Sequence, residues 1–405
     1  VAIPPDGGSV VAAISREPSI ERPSVLILSD GHGEDWVGAQ IALALQSLLP
    51  VEILALPLVG EGELYSQRKL PVWGGQWLPS GGFTFKHWPA FWQDLTGGLL
   101  SHGWRSIMGS LARAKQVDMV LAVGDVLPLA LAGMTTRPYI FMGCTKSDYY
   151  SPGRSCYFWP ERALMRRPHC LHTFTRDKAT AEHLQELGVQ ASFLGNPMMD
   201  GLAVDGAAQP LPPCTVGLLP GSRPGETQAN FLCLLACVRR MQPYSEQPMQ
   251  FMAALAPGLP LSSFVEPALQ AGWEWQEPYL VQGTTRVWLR CGAFSEVLRS
   301  SHLFLAMAGT ATEQAVGLGR PVVTIPGQGP QFTLRFAQLQ CQLLGESVLL
   351  CGSPDEAARR AWQVLHQPEQ LARIRVNGQI RMGHPGAATG IARYVQKALN
   401  RSGSE

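Results

Sequence analysis

The chain has 405 residues, long for a single hydrophobic core, so two domains are expected. Its 32 basic and 31 acidic residues nearly cancel, which excludes the electrostatic footprint of a nucleic-acid binder. Nine cysteines without a C-x-x-C pair or a Cys/His set at zinc spacing point to a reduced, cytosolic compartment and to no metal. Asp125, Pro128 and several glycines break the longest apolar run, so no stretch reaches transmembrane length.

Residues 1–22 carry Pro4, Pro5, Gly7 and Gly8 and no cationic–apolar signal pattern; they are expected to form a flexible leader. Val25 to Leu28 reads as a buried strand, Ser29 to Asp35 as a glycine-bearing turn and Trp36 to Leu49 as a helix. A loop at the carboxyl end of a strand is where α/β folds place ligands. This one is not G-x-G-x-x-G, so a dinucleotide fingerprint is absent. His32 suits a base or a substrate contact; alternatively, His32 and Asp35 only shape the turn and cap the helix. Val51 to Pro57 reads as the second strand.

From Leu70 to Arg105 the pattern changes. Trp73, Trp77, Phe83, Phe85, Trp88, Phe91 and Trp92 are interleaved with glycines and follow no helical or strand period. Aromatic rings with polar edges suit a bilayer interface or a lipid-binding mouth, and that reading is favoured over an aromatic satellite core beneath a long loop. A helix is expected over Ser106 to Lys115 and a strand over Met119 to Val123, with Gly124-Asp125 directly after it. A carboxylate in that place suits a general base, and it also suits an N-cap of the helix Val126 to Gly133. Further strands are expected at Tyr139–Met142, Cys170–Thr175 and near Ser192. Residues 201–213, with Gly206, Pro210, Pro212 and Pro213, have linker composition, leaving 23–200 as the N-terminal domain.

The second domain (214–385) opens as the first does. Thr215 to Leu219 reads as a strand, Pro220 to Glu226 as a loop and Thr227 to Met241 as a helix. Gly221, Ser222 and the planar fork of Arg223 together suit a diphosphate. The stretch is not a P-loop, because the G-K-[ST] ending is missing. Strands follow at Gln250–Ala256, Arg286–Leu289, Leu303–Met307, Val322–Ile325 and Ser347–Leu350. Ala308-Gly309-Thr310-Ala311-Thr312 has little side-chain bulk, and Thr310 or Thr312 suits the cap of the next helix, whose free N–H groups would face an anion. Glu313 lies in its first turn. Gln328 and Gln331 share the same crevice and suit a ribose or base edge. Residues 386–405 form a last helix. The expected class is α/β: two Rossmann-like β-loop-α domains facing across a cleft.

Phe193-Leu-Gly-Asn-Pro197, Leu218-Leu-Pro-Gly-Ser-Arg223 with Glu226, and Ala308-Gly-Thr-Ala-Thr-Glu313 resemble, in this order, three segments of lipid-A-disaccharide synthase. Ser29–Asp35 and Gly124-Asp125 look like its two N-terminal loops, and the Gly-His-Gly-Glu-Asp form and Gly81-Gly-Phe83 resemble the related branch found in cyanobacteria. The resemblance runs from about Ser24 to the last helix. It implies a GT-B glycosyltransferase with a UDP-sugar in the C-terminal domain, a lipid acceptor at the N-terminal one, peripheral membrane association, and no metal or cofactor. It assigns Ser222 and Arg223 to the diphosphate, with Gly221 and Glu226 in the same motif. Gly309, Thr310 and Ala311, followed by Thr312, would give backbone donors, and Glu313 would hold the ribose. Asp125 would be the base and His32 a catalytic or acceptor-side group, while the last helix would return to the N-terminal domain. Two positions depart from the family pattern: Ala308 replaces a serine and Asn196 a histidine.

The expected reaction is inverting transfer of a sugar, an N-acetylglucosamine-type or hexose unit, from UDP to a lipid hydroxyl. Its rivals are a UDP-sugar 2-epimerase-like enzyme and a non-catalytic lipid- or nucleotide-binding relative.

Overall fold

The computed structural model describes residues 22–73, 114–202, 214–223, 225–244 and 249–402. The expected leader, nearly all of the helix at Ser106–Lys115, the linker from residue 203 onward and every named aromatic between Trp77 and Trp92 lie outside these residues.

Two sheets organise the chain. The first has six parallel strands in the order β2-β1-β3-β4-β5-β6: β1 Ser24–Ser29, β2 Glu52–Pro57, β3 Met119–Gly124, β4 Tyr139–Gly143, β5 Cys170–Phe174 and β6 Ala191–Ser192. Every residue of β3 and β4 is buried, as expected of parallel strands covered by helices on both faces. The second sheet has the order β14-β13-β12-β7-β8-β11-β10-β9. Its parallel part comprises β7 Thr215–Leu219, β8 Gln250–Leu255, β11 Thr285–Cys291, β12 Leu303–Ala306, β13 Val322–Thr324 and β14 Val348–Leu350. Two strands the sequence reading missed extend it: β10 Tyr279–Gln282 pairs antiparallel with β11, and β9 Glu274–Gln276 pairs antiparallel with β10. They are too short for a clear alternating pattern, and β9 forms the edge of the sheet.

Both sheets change winding direction beside their first strand. In the first, the chain passes from β1 to β2 on one side and later places β3 on the other; in the second, β8 and β12 flank β7 in the same way. Such switch points open a crevice beyond the carboxyl ends of the two central strands, where loops diverge to opposite faces. The crevices therefore lie beyond β1/β3 and beyond β7/β12.

The two halves are packed together. The C-terminal helix Ala387–Ser402 runs along the helix His32–Leu48. Ile391, Ala392, Val395 and Leu399 join the same buried cluster as Ile27, Ile41 and Leu121. Tyr394 donates from its hydroxyl to Leu171 O at 3.0 Å and Gln396 to Leu48 O at 3.1 Å. Asp200 holds the start of this helix by accepting from the Gly386 and Ala388 amides. The Arg381 guanidinium lies 3.7 Å over the Tyr149 ring, and Asn196 N–H donates to Met382 O at 3.0 Å.

Candidate active site

At the N-terminal rim, the helix expected from Trp36 instead begins at His32. Gly31 is its N-cap, in extended backbone, and the Asp35 amide closes the first turn onto Gly31 O at 2.8 Å. The sequence from Gly31 to Asp35 shows no apolar period, so it reads as a turn. Glu34 and Asp35, however, favour the positive end of a helix. Asp35 does not cap. It is buried and accepts from Ser29 Oγ at 2.6 Å, while Ser29 Oγ in turn accepts from the buried Tyr65 hydroxyl at 2.9 Å. Burial pushes the Asp35 carboxyl up to about 7. His32, on the first turn, is exposed.

Asp125 follows β3 and is buried. It caps the helix Val126–Met134, with its Oδ1 accepting from Leu127 N–H at 3.0 Å. Directly beside it stands Asp30, at the end of β1, a residue the sequence reading did not single out. Asp30 Oδ2 accepts from the Asp125 amide at 3.3 Å, and the two carboxyl groups are within hydrogen-bonding reach. Gly124 makes this approach possible: at φ +135°, a Cβ there would collide with Asp30 Oδ1. Burial, and then the Asp125 charge, raise the Asp30 carboxyl well above the usual carboxylate range. Glu34 is raised as well, by burial first and then by the charges of Asp125 and Glu313. Only the position of Asp30, next in register to Gly124-Asp125 across the β1–β3 ladder, could have flagged it.

At the C-terminal rim three loops converge. The β7 loop carries Gly221, Ser222 and Arg223; the β12 loop runs through Gly309 into the helix Thr310–Gly317; the β13 loop carries Gln328 and Gln331. Asn230, also absent from the sequence-derived set, ties the first two together by donating from Nδ2 to Pro220 O at 3.1 Å and to Met307 O at 3.5 Å. Ser222 and Arg223 are exposed, and the Arg223 side chain has no hydrogen-bond or ion partner among the described residues. Thr310, Gln328 and Gln331 are exposed; Gly309, Ala311 and Glu313 are half-buried.

Neither threonine caps the helix. Gly309 is the N-cap without a side-chain bond, and the buried Thr312 hydroxyl turns back to Ala308 O at 2.7 Å. Gln340 holds the same loop from below, donating to Ala308 O at 3.0 Å and Gly309 O at 3.1 Å. The amides at the helix start are thus left facing the crevice. Glu226 is buried and accepts from the Gln331 amide at 2.6 Å and the Phe332 amide at 3.2 Å. Its carboxylate holds the β13 loop. Glu313 is likewise engaged: it pairs at 2.7 Å with Arg176, which follows β5 in the first sheet. The sequence reading missed Arg176, because a lone arginine after a strand carries no motif.

The two rims meet. Besides the Arg176–Glu313 pair, Gln314 Nε2 donates to Met198 O at 3.0 Å, and a Cβ at Gly33 would lie 3.8 Å from Thr310 Oγ1. Two helix starts, at His32 and Thr310, therefore oppose each other with the carboxyl groups of Asp30, Glu34 and Asp125 on one side and the Arg223 fork on the other. Trp73 does not join the cleft; it packs, partly buried, against the first-sheet core, and its amide donates to Ala55 O at 2.7 Å. Among the described residues, no helix is long and apolar enough to cross a membrane.

Two α/β units joined across a cleft with switch-point crevices face to face match solved enzymes over nearly the whole chain. MurG of Acinetobacter baumannii superposes with a TM-score of 0.57 at 13% identity, covering 93% of this chain and 99% of that one. The fold is GT-B. A UDP-GlcNAc 2-epimerase from Neisseria meningitidis, solved with UDP-GlcNAc bound, shares this GT-B arrangement with a TM-score of 0.56 at 17% identity, covering 92% and 100% of the two chains. In sequence, the GT-B chain is 29% identical over 259 residues to the lipid-A-disaccharide synthase of Alkalilimnicola ehrlichii. That match covers 55% of this chain and 62% of the relative's length. No protein-family model matches.

Proposed function

We propose that this protein is a glycosyltransferase that moves a sugar from a UDP-sugar to the hydroxyl of a lipid or lipid-linked acceptor, with inversion and without a metal. The observation that carries the reading is the opposition of two unlike rims across one cleft. The carboxyl groups at the carboxyl ends of β1 and β3 belong to one rim, and the exposed Ser222-Arg223 pair and the helix start at Gly309–Ala311 belong to the other. The second rim suits a diphosphate leaving group; the first suits removal of a proton from the attacking hydroxyl. The partial match to lipid-A-disaccharide synthase supports a lipid-linked acceptor, and the like-folded epimerase solved with UDP-GlcNAc is in keeping with a UDP-sugar. On this reading the protein works in the cytoplasm, in peripheral contact with a membrane.

In the proposed reaction Asp125 accepts the acceptor's proton as its oxygen attacks the anomeric carbon in line. The bond to UDP breaks, and UDP leaves with the electron pair, its charge met by Arg223 and the helix start at Thr310. Gln328 and Gln331, exposed on the third loop, would read a nucleoside edge. The test is a panel of UDP-sugars incubated with a total lipid extract, with the glycolipid product identified by mass. Asp125→Asn should lower kcat by roughly 10²–10⁴ while UDP binding persists; near-normal turnover would remove Asp125 as the base. A second reading, a UDP-sugar 2-epimerase, is favoured by the Neisseria enzyme's full-length superposition. Epimerised product from UDP-GlcNAc without any acceptor would replace the first reading with it.

A further inference from the structure

We infer that Asp30 is a positioning residue for Asp125: a neutral carboxylic acid whose proton lies between the two side chains, so that the pair carries a single negative charge. This rests on the reading of Asp125 as the base. The geometry is specific. Asp30 and Asp125 leave adjacent parallel strands one residue apart in register: β1 and β3 pair up to Ser29 and Val123, which sets Asp30 beside Gly124, directly before Asp125. Asp30 is half-buried as a residue, yet its Oδ1 is out of solvent and has no hydrogen-bond partner, while its Oδ2 takes the Asp125 amide. A buried carboxylate oxygen without a donor costs far more than the same oxygen carrying a proton with an acceptor nearby. The neighbouring Asp125 carboxylate is that acceptor.

The surrounding charges reinforce the assignment. Glu34, from the same helix start, adds negative charge next to Asp30. Cys144 after β4 is a buried thiol that burial, and then Glu34 and Asp30, hold protonated. Arg176, the cation that acts on Glu34 and Cys144, is engaged by Glu313. Asp30 forms no ion pair among the described residues, so ionising both aspartates would place two negative charges side by side. Asp125 keeps Oδ1 on the Leu127 amide, and the Asp30 proton fixes the carboxylate's plane from a second direction. When the acceptor hydroxyl gives up its proton, Asp125 receives it and the pair becomes neutral. The new bond joins the acceptor oxygen to the anomeric carbon, and UDP departs with its electrons. Holding Asp30 protonated keeps the pair at one charge before the step, without doubling the negative charge opposite a diphosphate.

The experiment uses the full-length protein. Infrared difference spectra of wild type against Asp30→Asn, at a pH above the titration of Asp35, should show a carboxylic-acid C=O band in wild type that the variant lacks. Its absence from wild type, or its persistence in Asp30→Asn, overturns the inference. Once a donor and acceptor are in hand, Asp30→Leu should lower kcat by about tenfold to hundredfold, the effect of losing a hydrogen bond to a charged group. Asp30→Asn, which still donates, should restore most of that loss and abolish the alkaline fall in kcat that deprotonation of Asp30 produces. Equal kcat and equal pH profiles in wild type, Asp30→Leu and Asp30→Asn would also overturn it. An Asp125→Asn variant with normal turnover, beside a band that is lost in Asp30→Asn, would instead remove the base reading and leave the shared proton in place.

Discussion

The Arg176–Glu313 pair joins the two halves at the cleft, and its removal has a calculable cost. The nitrogen–oxygen separation is 2.7 Å, with side chains 5% and 13% exposed, so solvent screens the pair little. Burial alone would lower the affinity of Arg176 for its proton; the Glu313 carboxylate more than offsets this and holds the guanidinium above its usual range. In Arg176→Met, Glu313 keeps its buried position without a counter-charge and with Glu34 nearby. Breaking one partner of a buried pair typically costs about 3–5 kcal/mol, most of it the penalty of the stranded charge rather than the worth of the bond. Glu313→Gln strands Arg176 in the same way and should cost a similar amount. The double variant removes both charges, so its cost should fall well short of the sum, with a coupling of about 2 kcal/mol or more.

The assay is a double-mutant cycle of denaturant unfolding for the four proteins, read at one ionic strength. Salt gives an independent check, because a buried pair is screened far less than an exposed one. Single variants within about 0.5 kcal/mol of wild type, and a double variant equal to their sum, would refute the reasoning. That result would mean the two carboxyl-end rims are not held together by this contact in solution.

Two further outcomes follow from the site. Arg223→Ala should weaken UDP binding by about tenfold to hundredfold, the range for one charge-assisted hydrogen bond, when measured by calorimetry; unchanged affinity would remove its diphosphate role. Asp35, raised from 3.8 to about 7 by burial, makes stability fall as pH rises from about 4 through about 7, because the folded state holds the proton that the unfolded chain releases. The shift of about three units corresponds to about 4 kcal/mol. Asp35→Asn should flatten the slope between about pH 4 and pH 8 by that order, and an unchanged slope would contradict the assignment.

The sequence made the strands and the glycine-rich rims legible because parallel strands buried on both faces are continuous apolar runs. Met119 to Val123 and Leu303 to Met307 have no other reading at that length. Loop chemistry was legible only where it was local. Gly221-Ser222-Arg223 and Gly309-Thr310 announce themselves by composition, and both reach the cleft. Three features depended on tertiary placement. Glu226 and Glu313 look like ligand groups in sequence, but one is consumed by the amides of a loop more than a hundred residues away and the other by Arg176. Asp30 looked like part of a turn, and only the β1–β3 pairing brings it to Asp125. The helix start at His32 was hidden for the opposite reason: its first turn is polar, and only the carboxylates at its positive end signal it.

The unlike charge of the two rims gives the cleft a direction. A UDP-sugar carries its negative charge on the diphosphate and its reactive carbon one bond beyond. Three carboxyl groups line the rim beyond β1 and β3, and the exposed Arg223 fork with the helix start at Thr310 lines the rim beyond β7 and β12. A diphosphate placed toward the first rim meets Asp30, Glu34 and Asp125; placed toward the second, it meets N–H donors and a guanidinium. On the proposed function, the energy difference between these two placements would orient the donor before any sugar contact is made, with the anomeric carbon toward the aspartates. A protonated Asp30 limits the repulsion at close range, so the same rim that turns the diphosphate away still admits the neutral sugar. Charge thus sets the polarity of the site, while the identity of sugar and acceptor must come from the walls between the rims.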